Sequence, residues 1–290
     1  LNVPLAGLNV DRWSVISSFW EALAVGEYPY FARSHLGNPP GPMPVYFLLA
    51  YPFYAAGWLE LLAALGAGGL VWWLAFRRPA SPENRLAFLL LVTSVWVAWE
   101  VVVRSNVFTY SALVLAGLVW WRRSFLREAR VPKVSSLVVG LLLSTRSVFA
   151  LVYLLVFGEQ LWSRPWLVIR AGVLSLMAFL VTFLPLWWIW GEDFWVMNPF
   201  LVQSGFLVPP PLVGGFFLGA LGLLFYPELR GRVFFFSGVL LSGVVSIYAL
   251  YHVGQSGLTA AFFGSKVDLS YFLFGVPFLL CGDRCLYRRN

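Results

Sequence analysis

The stretch KVSSLVVGLLLSTRSVFALVYLLVFGEQLWSR, residues 133–164, decides how this chain is built. Two apolar runs flank a polar tip, Ser144-Thr145-Arg146-Ser147, with Lys133 at one end and Arg164 at the other. A single helix over Val134–Trp162 would be about 43 Å long at 1.5 Å per residue, too long for one membrane crossing. It would also place Lys133 and Arg164 on opposite sides, although Lys and Arg collect on the cytoplasmic one. Two antiparallel helices of about 18 Å each remove both conflicts and leave Arg146 in a recess below the outer headgroups.

Composition makes lipid the solvent. The 290 residues are 60% hydrophobic and 11% charged, with a mean hydropathy of +0.79, more apolar surface than one soluble core absorbs. The runs are Leu- and Val-rich with scattered Gly and lack the alternation of an outer-membrane barrel. The expected fold is all-α: a polytopic transmembrane helical bundle of about nine or ten membrane helices, one integral membrane domain over 1–290.

Five basic clusters set its orientation. They are Arg77, Arg78 and Arg85; Arg122, Arg123, Arg127, Arg130 and Lys133; Arg164 and Arg170; Arg230 and Arg232; and Arg284, Arg288 and Arg289. Placing all five inside leaves only Arg12, Arg33, Arg104, Arg146 and Lys266 of the 20 basic residues outside. The net charge of +7 therefore points to anionic headgroups and not to nucleic acid. Cys281 and Cys285 share the last cluster's side, where thiols stay reduced with no disulfide or metal role.

Between clusters, Trp58–Phe76 runs in, Leu86–Val103 out and Phe108–Trp121 back, with Arg104-Ser105-Asn106 as a short external turn. Trp166–Trp188 runs out, Val213–Tyr226 in, Val233–Tyr251 out and Leu269–Cys281 in. Residues 1–57 form the largest external piece, and 58–290 the bundle. Pro39-Pro40-Gly41-Pro42 and Pro44 introduce Val45–Ala56, interrupted by Pro52 and read as interfacial or re-entrant. Ile189–Pro211 and His252–Asp268 are the other external loops.

The pattern Asp11 … Gly26-Glu27-Tyr28-Pro29-Tyr30 … Pro39-Pro40-Gly41-Pro42-Met43-Pro44-Val45-Tyr46 resembles the first external loop of the GT-C superfamily of membrane glycosyltransferases. The likeness is to polyprenol-phosphate-mannose-dependent mannosyltransferases and their dolichyl-phosphate-mannose relatives. The helix ending in Arg77-Arg78 and the short hairpin with a basic tip are similar too. The family pattern places a helix just before Asp11, so the chain is expected to lack its first helix. Relatives often carry an acid where this chain has Arg104-Ser105-Asn106, so no divalent metal or other cofactor is expected. The resemblance implies transfer of a hexose such as mannose from a polyprenyl-phosphate donor to a glycan, lipid or protein acceptor, with inversion. It also implies a multi-pass protein of the bacterial cytoplasmic membrane with an outward-facing site.

Such transfer needs a base for the acceptor hydroxyl and cations for the departing phosphate. Asp11 is the candidate base; its bland alternative is a solvated carboxylate or a pair with Arg12. Arg104, Arg146 and Lys266 are the phosphate candidates, against local ion pairs of Arg104 with Glu100 and of Lys266 with Asp268. Arg146 has no acid within its hairpin. Glu27, Tyr28, Tyr30, His35, Glu100, Asn106 and Asp268 are candidate substrate contacts. Tyr28 and Tyr30 serve equally as interface anchors, and His35 with His252 makes a poor metal site. A polysaccharide polymerase or ligase and a polytopic transporter are the alternative functions.

Overall fold

The computed structural model describes residues 10–77, 82–128, 130–203, 208–263 and 267–281. Arg78, Lys266, Cys285 and the terminal arginines lie outside the described residues, which are all-α with no strand among them. The helices are α1 (Arg12–Ala24), α2 (Pro44–Ala55), α3 (Leu59–Arg77), α4 (Pro82–Val92), α5 (Val95–Val102), α6 (Val107–Arg127), α7 (Lys133–Leu143) and α8 (Ala150–Leu161). They continue as α9 (Pro165–Val181), α10 (Leu184–Val196), α11 (Pro199–Gln203), α12 (Pro210–Leu223), α13 (Leu229–Ser256), α14 (Leu258–Phe263) and α15 (Val276–Cys281). Short 3-10 turns cover Pro29–Phe31, Ser147–Phe149 and Leu269–Phe274.

The expected hairpin is present as α7 and α8, with Arg146 between them in extended backbone. Its tip is tied to the proline-rich segment before α2: Met43 N donates to Thr145 O (3.3 Å) and Val45 N to Ser144 O (3.0 Å). Pro44 opens α2 because a first-turn residue has no intrahelical use for an N–H.

One described helix, α13, is long and apolar enough to cross a membrane by itself. Three further bent pairs reach that length together: α2 with α3 at 114°, α5 with α6 at 108°, and α9 with α10 at 58°. The expected continuous run Leu86–Val103 is instead α4 and α5. Thr93 Oγ1 bonds back to Leu89 O (2.7 Å), and Ser94 Oγ accepts from Val97 N (3.3 Å), starting a new helix. Trp166–Trp188 breaks similarly, where Thr182 Oγ1 bonds to Phe179 O (2.6 Å) just before Pro185, which has no N–H to continue the ladder. Leu269–Cys281 opens as a 3-10 turn before α15.

Helix α7 packs extensively along α9. Gly140 makes this possible, because a β-carbon there would meet the Ser175 backbone. One core runs through α6, α8 and α13, with Trp121, Phe149 and Phe278 fully buried. A second core joins residues 15–50 to the bundle: Phe19 of α1 stacks on Phe47 of α2 at 3.7 Å, and Tyr110 of α6 donates to Tyr46 O (2.6 Å). The segment read as an external loop is thus a packed layer in its described part.

The second, third and fourth basic clusters meet at one end. Arg122, expected in a loop, is buried and forms a two-pronged pair with Glu159 (2.9 and 2.6 Å). Arg164 donates to Phe125 O (3.1 Å) and Glu128 O (3.0 Å), and Trp162 packs on Phe225, ahead of Arg230.

Candidate functional site

At the other end of α8, a cavity of about 1170 Å³ opens between α1, the proline-rich segment, α5, the hairpin tip, α11, α13 and the turn after α14. Its polar lining includes Asp11, Arg12, Arg146, Ser147, Gln203 and Asp268. Its apolar lining includes Trp96, Trp99, Val244, Val245, Phe262 and Phe274. Trp96 and Trp99 remain about two-fifths exposed, so the apolar side reaches the molecular surface.

Asp11 sits immediately before α1, where its backbone oxygen accepts from Val15 N (2.8 Å) and Ser14 Oγ (2.9 Å). Its carboxylate accepts from Ser34 Oγ (2.6 Å) and Asn38 Nδ2 (2.8 Å). Both bonds fall on Oδ2, leaving Oδ1 outside them. Arg12 does not pair with Asp11. It is only 4% exposed, lies over the Tyr271 ring, and bonds Glu100 (3.4 Å), Ser105 and Asp268. Burial alone would lower its pKa, but Asp268 and then Glu100 outweigh that and hold it above the ordinary arginine range. The two neighbours thereby fix the start of α1 from both flanks: Asp11 to the 34–38 loop, Arg12 to α5 and the turn after α14.

Arg146 lines the cavity with its guanidinium 5.2 Å from the centre of the Tyr46 ring. It has no carboxylate partner among the described residues, and its Nε is buried without a hydrogen bond. Asn106 is fully buried beside Tyr46, its amide unsatisfied.

The expected site residues separate into groups. Asp11, Arg146 and Asp268 line the cavity; Glu100 lies behind Arg12, and Asn106 behind Tyr46. Arg104 does not join them. Helix α5 ends at Val102, and Arg104 adopts φ +54°, so it pairs with Glu60 (3.2 Å) instead of Glu100. Tyr28 donates to Met197 O (2.7 Å) and Tyr30 to Pro42 O (3.0 Å). Burial pushes both phenols up, so they act as neutral donors that position loops. His35 is exposed, stacked on Trp13 at 5.4 Å, with Nδ1 2.7 Å from Ser14 Oγ. Glu27 is exposed at the turn after α1. Lys266 lies outside the described residues.

Arg12 and Gln203 enter the site without a local signal, because their partners are far away in sequence. Among the described residues no three His, Cys, Asp or Glu side chains converge as metal ligands. Chemically, the cavity offers the Asp11 carboxylate, bonded through Oδ2 alone, the Arg146 guanidinium without a carboxylate partner among the described residues, and an adjoining apolar wall. No protein-family model matches the chain, and neither does any curated protein or solved structure.

Proposed function

We propose that the chain is a multi-pass membrane glycosyltransferase of the GT-C kind that moves a hexose such as mannose from a polyprenyl-phosphate donor to an acceptor hydroxyl. The observation that carries this is one cavity that holds Asp11, an Arg146 without a carboxylate partner among the described residues, and an apolar wall of Trp96, Trp99, Val244 and Phe262. An amphiphile with an anionic head fits such a lining: the head meets the guanidinium and the tail meets the wall. Asp11 Oδ1 takes the acceptor proton as the acceptor oxygen attacks the anomeric carbon. The bond from that carbon to the phosphate oxygen breaks on the opposite face, and configuration inverts. Arg146 stabilises the departing phosphate charge. Arg104, engaged with Glu60 and absent from the lining, has no part in this mechanism.

The polytopic arrangement rests on apolar composition and the bent helix pairs, and the orientation on the basic clusters gathered at the far end of α6 and α8. The site then faces away from the cytoplasm, in a bacterial cytoplasmic membrane. A transporter would need broken helices at matching positions in two repeats; among the described residues the 114° and 108° breaks fall in the first half of the chain and the 58° break alone in the second, so they do not pair one to one.

Asp11→Asn tests the proposal, since it keeps the bonds to Ser34 or Asn38 within reach but removes proton-accepting power. Transfer from a polyprenyl-phosphate hexose should fall at least about a hundredfold, with donor binding retained. An Asp11→Asn protein that keeps most of its turnover would remove the base, and the mechanism with it.

A further inference from the structure

We infer that Gln203 is a second oxyanion ligand in the cavity, donating through its amide nitrogen to the same phosphate head as Arg146. The inference rests on the proposed donor reading only in naming a lipid as the phosphate's source.

Gln203 closes α11, a single turn capped by Asn198, whose Oδ1 accepts from Leu201 N (3.1 Å) while its Nδ2 donates to Phe194 O (3.1 Å). The turn is clamped to the hairpin tip at two points. Ser147 N donates to Gln203 Oε1 (3.0 Å), and Ser147 Oγ donates to Gln203 O (3.3 Å). The first bond fixes the amide's orientation, because a backbone N–H needs the carbonyl oxygen facing it. The amide nitrogen therefore faces away from the tip. Gln203 is 9% exposed and lines the cavity, yet its Nε2 has no hydrogen-bond partner.

A buried donor left unsatisfied is costly and calls for an explanation. The residue before Ser147 on the hairpin tip has the same deficit: Arg146 Nε is buried and unpartnered. Two adjacent side chains thus present only donors, one of them charged, and no carboxylate answers them among the described residues. A hydroxyl would bring its own proton to such a place, whereas an ionised phosphate, the diester of the donor or the monoester left after transfer, brings acceptors. Gly41 keeps the approach open. A β-carbon there would stand 3.7 Å from Gln203 Nε2 and 3.4 Å from Val202 Cγ1. That is ordinary contact for the fold, but it fills space beside the donor.

The test measures binding to the full chain in detergent micelles, with a polyprenyl monophosphate, the matching uncharged polyprenol and inorganic phosphate as probes. Gln203→Glu keeps an oxygen for Ser147 N and replaces the donors with negative charge. It should weaken polyprenyl monophosphate binding at least tenfold and leave polyprenol binding unchanged. Gly41→Ala, which does not touch the Ser147 bonds, should weaken it severalfold and stands as the test if Gln203→Glu does not fold. Wild-type binding of the lipid phosphate that neither variant alters would overturn the role of Gln203 and leave the transferase proposal standing. Binding of inorganic phosphate but not of the lipid, lost in Gln203→Glu, would establish the subsite and overturn the lipid donor. A wild-type chain that binds neither phosphate overturns both.

Discussion

Arg12 and Arg104 lie on either side of the same carboxylate, Glu100, and the backbone decides between them. An i,i+4 pair of Glu100 with Arg104 needs helix through both residues, but α5 stops at Val102 and Arg104 turns into the left-handed region. Glu100, 2% exposed, then takes its cation from Arg12, which also serves Asp268. Removing one partner of a buried network leaves the others charged and desolvated, at about 3–5 kcal/mol. Arg12→Met should therefore lower the unfolding free energy by about that amount, read from the denaturation midpoint in detergent. Arg104→Met breaks a pair whose side chains are 28% and 44% exposed, and should cost less than about 1 kcal/mol. Equal effects in the two variants would mean that Arg12 is not the buried centre described. The sequence marked Glu100, Asp268 and Asp11 as residues of interest, but no local pattern shows which cation each one meets.

Helices and their interruptions were more legible. The hairpin followed from run length and charge parity, and α7 and α8 match it because neither constraint depends on what the hairpin packs against. The runs that proved broken carry a polar residue able to bond back to the preceding turn, Thr93 in one and Thr182 in the other. Mean hydropathy does not register such bonds, so both read as continuous. The α7–α9 contact depends on shape and not on polarity: Gly140 lets the helices approach until the Ser175 backbone fills the space of a side chain. Gly140→Ala should cost about 1–3 kcal/mol through forced separation. Gly243→Ala in α13, where a β-carbon would meet nothing within 4 Å, should be neutral or stabilise by up to about 1 kcal/mol through helix propensity. Paired unfolding curves of the two variants check this, and a harmless Gly140→Ala would refute the close approach.

At the scale of the whole molecule the bundle has a basic end, where Arg122, Glu159 and Arg164 meet, and a cavity end, where Asp11, Arg146 and Gln203 meet. The two lie at opposite ends of α8. The proposed orientation puts them on opposite sides of the membrane. In a background with Cys281 and Cys285 replaced by Ser, Leu36→Cys beside the cavity should react with an impermeant thiol reagent in intact cells. Ser163→Cys at the basic end should react only after permeabilisation. The reverse pattern would invert the chain and move the site to the cytoplasmic side.

The sequence alone determined the helical class, the turned-back hairpin with Arg146 at its tip, and the shared end of the second, third and fourth basic clusters. These follow from helix rise, apolar run length and charge placement, which act over one or two turns or over whole segments. It also singled out Asp11 and Arg146 through the proline-rich pattern and the absence of a nearby acid. Only the tertiary structure decided that Arg12 serves Glu100 and Asp268, 88 and 256 positions away, that Arg104 serves Glu60, and that Gln203 faces the cavity. A buried charge is satisfied by whichever partner packing brings within reach, and packing is set by the shapes of helix faces, which hydropathy and spacing do not encode.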